Sequence, residues 1–157
     1  MSELPQRKRL PHTPPPRVGT EAVFFITVCC GERRTAGGLC QQSVFDMIRQ
    51  TAQVHIDKGN RYPQLMVLMP DHLHGLIQFG RDVSMRATVS AFKRYIARHG
   101  GVEWQRDFFD HRIRDDENLH EKREYILANP VRKGFAKTPE DWPYVLLMGE
   151  NGKLRAW

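Results

Sequence analysis

At 157 residues, 40% of them hydrophobic, the chain can bury one sizeable core, and its length favours a single domain over residues 19–157. A formal charge of +6 favours an anionic partner, with nucleic acid the first candidate. Three cysteines, Cys29, Cys30 and Cys40, form neither a disulfide framework nor a Cys-x-x-Cys pair, and no apolar run approaches a membrane span. With a polar, proline-rich start unlike a secretory signal, this argues against a disulfide-stapled secreted scaffold or a membrane-spanning protein and leads us to expect free thiols in the cytoplasm.

Residues 1–18 carry Arg7, Lys8, Arg9, Arg17 and three consecutive prolines, a composition that reads as a basic arm without a packed core. The segment 22–30 is rich in Val, Phe, Ile and Thr between Gly19 and Gly31, the pattern of a buried strand. After a loop with Arg33, Arg34 and Gly37-Gly38, a helix is predicted from a Ser43 cap to about residue 58. Val44, Met47, Ile48, Ala52 and His55 lie on its inner side, His55 as a packing residue.

Segments 64–69 and 72–79 are two apolar runs joined by Pro70-Asp71, too tight a link for anything but an antiparallel hairpin. Alternation along the second run sends His72 and His74 to one face and Leu73, Ile77 and Phe79 to the other. Two imidazoles on one face can share a divalent ion if other ligands arrive, although a bare His-x-His carries little information and is more often two surface histidines on a sheet.

Ser84 opens a second helix with Met85, Val89, Phe92 and Ile96 on its apolar side and Arg86, Lys93, Arg94 and Arg98 elsewhere; such a face is usually just solvated, but its uniformly positive charge tips the reading modestly toward phosphate contact. Segment 108–114 reads as a fourth strand, bringing Arg112 and Arg114 as further candidates for DNA contact. His111 within it is expected to be partly buried. Asp115 or Asp116 caps a third helix ending at Asn129 before Pro130, and the segment from Trp142 covers the core.

The order strand, helix, strand, strand, helix, strand, helix is that of an α+β, ferredoxin-like or split βαβ domain. Its helices would lie on one face of an antiparallel sheet, leaving the other face free for binding. Tyr125 and Asn129 stand one helical turn apart and can reach one site. An asparagine oxygen could complete a His72, His74, Asn129 set around Mg²⁺ or Mn²⁺, although a helical tyrosine is by default a packing residue.

Pro70-Asp71-His72-Leu73-His74-Gly75, Phe92-Lys93-Arg94, Asp110-His111-Arg112-Ile113-Arg114, the run from Tyr125 through Asn129-Pro130 to Gly134, and Asp141-Trp142-Pro143-Tyr144 together resemble the REP-associated tyrosine transposases. These are bacterial single-strand transposases of the HUH class. The resemblance implies that His72, His74 and Asn129 hold the metal and that Tyr125 is the nucleophile, on the third helix. It implies cleavage and rejoining of single-stranded hairpin DNA through a 5′-phosphotyrosine, by a cytoplasmic monomer or homodimer.

Two other readings compete. A histidine-triad nucleotide hydrolase would want histidine where Leu76 stands. A non-catalytic nucleic-acid-binding domain of the same fold would stack bases on sheet aromatics, where this chain has His72, His74 and Gln78.

If the arm follows a phosphate backbone, deleting residues 1–17 should flatten the dependence of DNA affinity on salt. Each lost contact should lower the log-log slope by about 0.7. Titrations of the full and trimmed chains against single-stranded DNA measure it, and an unchanged slope and affinity would make the arm a tail.

Overall fold

Seven residues of mostly β-branched and aromatic character, VFFITVC, form β1 (Val23–Cys29), which is buried along nearly its whole length. The chain continues through α1 (Gln42–Asp57), β2 (Arg61–Leu68), β3 (His72–Phe79), α2 (Met85–Gly100), β4 (Phe109–Ile113), α3 (Asp116–Leu127) and α4 (Asn129–Arg132) to β5 (Val145–Met148) and β6 (Leu154–Ala156). The computed structural model describes residues 22–32, 37–80 and 82–157, without the side chains of residues 116 and 117. The basic arm, Arg33 and Arg34 lie outside the described residues.

The strands form one antiparallel sheet in the order β4-β1-β3-β2-β5-β6. Its first four members have the ferredoxin-like topology, in which β3 inserts between β1 and β2. The expected C-terminal cover is in fact two further strands that lengthen the sheet beyond β2. Trp142 secures the approach to them, its indole N–H donating to the Leu68 carbonyl at 2.8 Å.

Helices α1 and α2 share one face of the sheet. Phe45, Ile48, Ala52, Phe92 and Ile96 pack there against Met66, Leu68 and Leu73. Met85 and Val89 cover Phe24, Ile26, Val28 and Ile77. Full burial of each such Val, Leu, Ile, Met or Phe side chain stabilises the fold by about 1.5–3 kcal/mol relative to exposure. Arg61 is buried too, its guanidinium 4.5 Å from the Phe92 ring centroid; burial pushes its pKa down to about 10, so it stays charged at neutral pH.

The opposite face is not free as expected. Val23, Phe25, Leu65, Val67, Met69, Leu76 and Ile113 meet Ile126 of α3 and Trp142 there, because the central strands are apolar on both sides and both sides must be covered. No helix among the described residues is long and apolar enough to cross a membrane.

Helix ends follow local chemistry, with two corrections. The Ser84 hydroxyl accepts from the Ala87 N–H at 3.2 Å, and an Asp115 carboxylate oxygen accepts from the Asn118 N–H at 2.8 Å. Ser43, however, does not cap α1: it lies inside the first turn, and Gln41 precedes the helix without a side-chain cap. The third helix stops at Leu127, and Asn129 opens α4. Pro130 has no N–H to donate and its ring crowds the carbonyl four residues back, so the two helices cannot run on as one.

The loop before α1 reaches the hairpin that carries the histidines. Leu39 N–H donates to the Pro70 carbonyl at 3.1 Å, and Gly38, at φ 57°, lies so close that an added Cβ would collide with that carbonyl oxygen. Gly101, at φ 66°, has open space around it. Gly101→Ala should therefore cost only the left-handed penalty of about 1–2 kcal/mol. Gly38→Ala should cost more, read as the larger fall in urea midpoint; equal losses would show that the Pro70 contact does not constrain the loop.

Candidate metal and nucleophile site

Register places the histidines. In the β1–β3 pairing Thr27 lies opposite His74 and Cys29 opposite His72, so the two imidazoles rise from the middle of the sheet on the α3 side. The His74 ring is stacked against Phe25, with centroids 5.3 Å apart. Burial, aided by the nearby His72 and Arg132, pushes its pKa down to about 3, which keeps the ring neutral and its lone pair available.

The two Nε2 atoms face each other at 3.1 Å. On the outer side of each ring a protein group holds Nδ1: the Asp71 carboxylate at 2.6 Å from His72, and the Thr27 hydroxyl at 2.9 Å from His74. With its Nδ1–H given to Asp71, His72 keeps Nε2 as an acceptor, and Asn129 Nδ2 donates to it at 3.1 Å. Because a hydroxyl can donate or accept, Thr27 serves either tautomer of His74. In one, His74 Nε2–H donates to His72; in the other, both Nε2 lone pairs converge and require a cation between them.

That arrangement fits a divalent ion. Two ligand atoms each about 2.1 Å from one ion and at right angles to it stand about 3.0 Å apart. A carboxylate on the far ring nitrogen is a usual support for a metal-binding imidazole, and the Thr27 hydroxyl stands in the corresponding place on His74. The Asn129 oxygen currently accepts from Arg132 Nη2 at 3.3 Å, so a half-turn of the amide would exchange nitrogen for oxygen beside His72. Among the described residues no group of three or more His, Cys, Asp and Glu could hold a metal, and the third group beside the two histidines is an amide.

Tyr125 is half exposed at 51%, on the last turn of α3. The Arg132 guanidinium lies 4.1 Å from its ring centroid and the Lys122 ammonium 5.7 Å from it. Arg132 thus touches both Tyr125 and Asn129 and links the tyrosine to the histidine cluster. Asp71, Thr27 and Arg132 were missed in the sequence. Asp71 adjoins His72 and Arg132 falls three residues after Asn129, which were usable signals, but Thr27 emerges only from strand register.

The six cations singled out for DNA contact do not form one patch. Arg86, Arg94 and Arg98 are exposed on α2, which packs on the sheet face opposite His74. Lys93 is committed to the Gln105 and Arg106 carbonyls, to which its ammonium donates at 2.6 and 3.1 Å. Its neighbour Arg94 lines a cleft of about 520 Å³ with Trp104, Gln105 and Arg106, the last unnoticed in the sequence. Arg112 lies on β4 opposite Phe24 with its Nε buried and without a hydrogen-bond partner among the described residues, while Arg114 is exposed just beyond that strand. His111 is exposed rather than partly buried, being on the edge strand.

Tyr95, also exposed, sits beside His99 with ring centroids 4.4 Å apart. His55 packs against Asn60, and burial with nearby Arg61 pushes its pKa down to about 4. Among the described residues Cys29, Cys30 and Cys40 form no disulfide.

Comparison with known proteins gives relatives in sequence and fold. A Haemophilus influenzae protein provisionally named a REP-associated tyrosine transposase is 27% identical over 143 residues, 78% of this chain and 77% of the relative. An Escherichia coli K12 protein named REP-associated tyrosine transposase is 28% identical over 81 residues, 50% of this chain and 49% of its own. The chain is a relative of the REP-associated tyrosine transposases. No family model matches it. A solved REP-associated tyrosine transposase bound to a REP hairpin shares the fold at a TM-score of 0.68 and 20% identity, over 90% of this chain and 82% of that one. The transposase relatives are named as enzymes, so the expectation of an enzyme has homology behind it.

His74 and His55 both lose basicity on folding. Between the ordinary value of 6.5 and their folded values of about 3 and about 4, the unfolded chain binds protons that the folded chain does not. Their contribution is therefore fully present above about 6.5 and is lost as pH falls toward those values. Urea midpoints should fall from pH 7 to pH 5, and His74→Gln should flatten that fall. An identical slope in the variant would mean that His74 is not held neutral by the fold.

Proposed function

We propose that this chain is a DNA transposase that cuts and rejoins single-stranded hairpin DNA of REP type, by transesterification through Tyr125. His72, His74 and Asn129 would hold Mg²⁺ or Mn²⁺. The observation that carries this reading is the meeting of His72 Nε2, His74 Nε2 and the Asn129 amide within 3.1 Å contacts, with Arg132 joining that cluster to Tyr125. The hairpin held by the solved relative supports the choice of substrate.

In the reaction the Tyr125 oxygen forms a bond to phosphorus as the bond from phosphorus to the 3′ oxygen breaks. The phenolic proton is lost to water, and the departing 3′ oxygen takes one up. A 5′-phosphotyrosine and a free 3′-hydroxyl result, and attack by another 3′-hydroxyl expels the tyrosine and reseals the strand. Bond energy is conserved throughout, so ATP is not required. The bound ion would polarise the phosphodiester and offset the charge gathering on its oxygens. Asp71 and Thr27 fix the two imidazole orientations, so the donor set needs little rearrangement.

Tyr125→Phe removes one oxygen, so folding and DNA affinity should hold while the covalent adduct with a labelled single-stranded hairpin disappears from a denaturing gel. Tyr95→Phe should keep the adduct. His72→Ala and His74→Ala should lose it and regain part of it at high Mn²⁺, which cannot rescue Tyr125→Phe. An adduct from Tyr125→Phe would reassign the nucleophile. If the wild type forms none with any hairpin, the chain is better read as a nucleic-acid-binding module.

A further inference from the structure

Arg132 is exposed, yet its guanidinium is held on two sides. One face covers the Tyr125 ring at 4.1 Å, and Nη2 donates to the Asn129 amide oxygen at 3.3 Å. No carboxylate among the described residues is paired with it, and Lys122 places a second cation near the same tyrosine ring. A guanidinium has five N–H donors in a rigid plane, of which the contacts here use one. Among the described residues no other hydrogen bond occupies the remaining donors, and two positive charges flank one phenol.

We infer that Arg132 anchors the phosphate that Tyr125 attacks, its free edge binding the two non-bridging oxygens as a fork. This rests on the transposase reading above. A planar fork matches a phosphodiester better than an ammonium does, and it also sets the angle of the tyrosine ring through the stacked face. The same guanidinium holds the Asn129 oxygen away from His72, so its transfer to phosphate releases the amide to turn toward the histidines. Strand and ion thus draw on one side chain. Although α3 and α4 are separate helices, the turn between them brings Arg132 beside both Asn129 and Tyr125.

The test uses the full chain with Arg132→Gln and Arg132→Lys, a single-stranded hairpin oligonucleotide, and Mn²⁺ followed by electron paramagnetic resonance. Arg132→Gln should lower the log-log salt slope of hairpin affinity by about 0.7. It should also slow adduct formation on the order of a hundredfold, as losing one donor to a developing charge does. Its Mn²⁺ affinity without DNA should not fall, since the asparagine oxygen has lost a competitor. Arg132→Lys should recover the slope and only part of the rate. An unchanged slope in Arg132→Gln overturns the phosphate contact, and a loss of Mn²⁺ binding overturns it in favour of a prop for the ligand set. If wild type makes no adduct, the transposase reading fails, while the slope still decides whether Arg132 meets phosphate.

Discussion

Everything in the site depends on the register of β3 between its two neighbours. Backbone pairing on both edges leaves it no free edge, and Leu73 and Ile77 are buried on one face while His74 and Leu76 are buried on the other. A slip of one residue would exchange those sets. It would push imidazoles into the aliphatic layer under α1 and α2, where an unpaired polar group costs about 1–3 kcal/mol, and would take Thr27 from His74. The apolar half of the strand thereby fixes the chemistry of the other half.

A second constraint is covalent. Pro130 ends α3 and restarts the chain as α4, so Asn129 is buried at 4% exposure while Tyr125, one turn earlier, stands half exposed. On the proposed reading, burial would fix Asn129 as a metal ligand, and exposure would give Tyr125 access to a polymer. Separate helices allow both within five residues. The only bulky apolar side chains of α3 in the sheet cluster are Leu119, Ile126 and Leu127, so this helix rests on the core through its two ends.

Those parts of the chain whose structure is set by nearby residues were legible in the sequence. The strand at 22–30, the Pro70-Asp71 hairpin, the Ser84 cap and the alternation of His72 and His74 all follow from period and turn chemistry, and the structure has them. The parts that escaped depend on contacts far along the chain. The strands β5 and β6 have four and three residues, too few to declare a period; β5 forms on the edge that β2 offers, and β6 on the edge that β5 offers. Thr27 reaches His74 across 47 residues, and Lys93 finds its carbonyl partners in a loop that its sequence pattern does not announce. That both faces of the sheet are covered was implicit in the two-sided apolarity of β1 and β2, but the helix assigned to the second face has a weak apolar stripe.

The distribution of charge adds a geometric requirement to the transposase reading. The exposed arginines of α2 lie on one side of the sheet and Tyr125, Asn129 and the histidines on the other. One short strand can touch both sets only by passing an end or edge of the sheet. The end at Cys29 is suited to this, because the loop that lines the Arg94 and Arg106 cleft is stitched there: Gln105 N–H donates to the Cys29 carbonyl at 2.9 Å and Gly31 N–H to the Glu103 carbonyl at 2.8 Å. Cys29 in turn is paired with His72. The bonds that spend Lys93 on the carbonyls of Gln105 and Arg106 hold this loop against α2, so a cation withdrawn from direct phosphate contact helps to keep Arg106 beside Arg94. On this view the basic helix contributes through the loop it fixes as well as through its own exposed side chains.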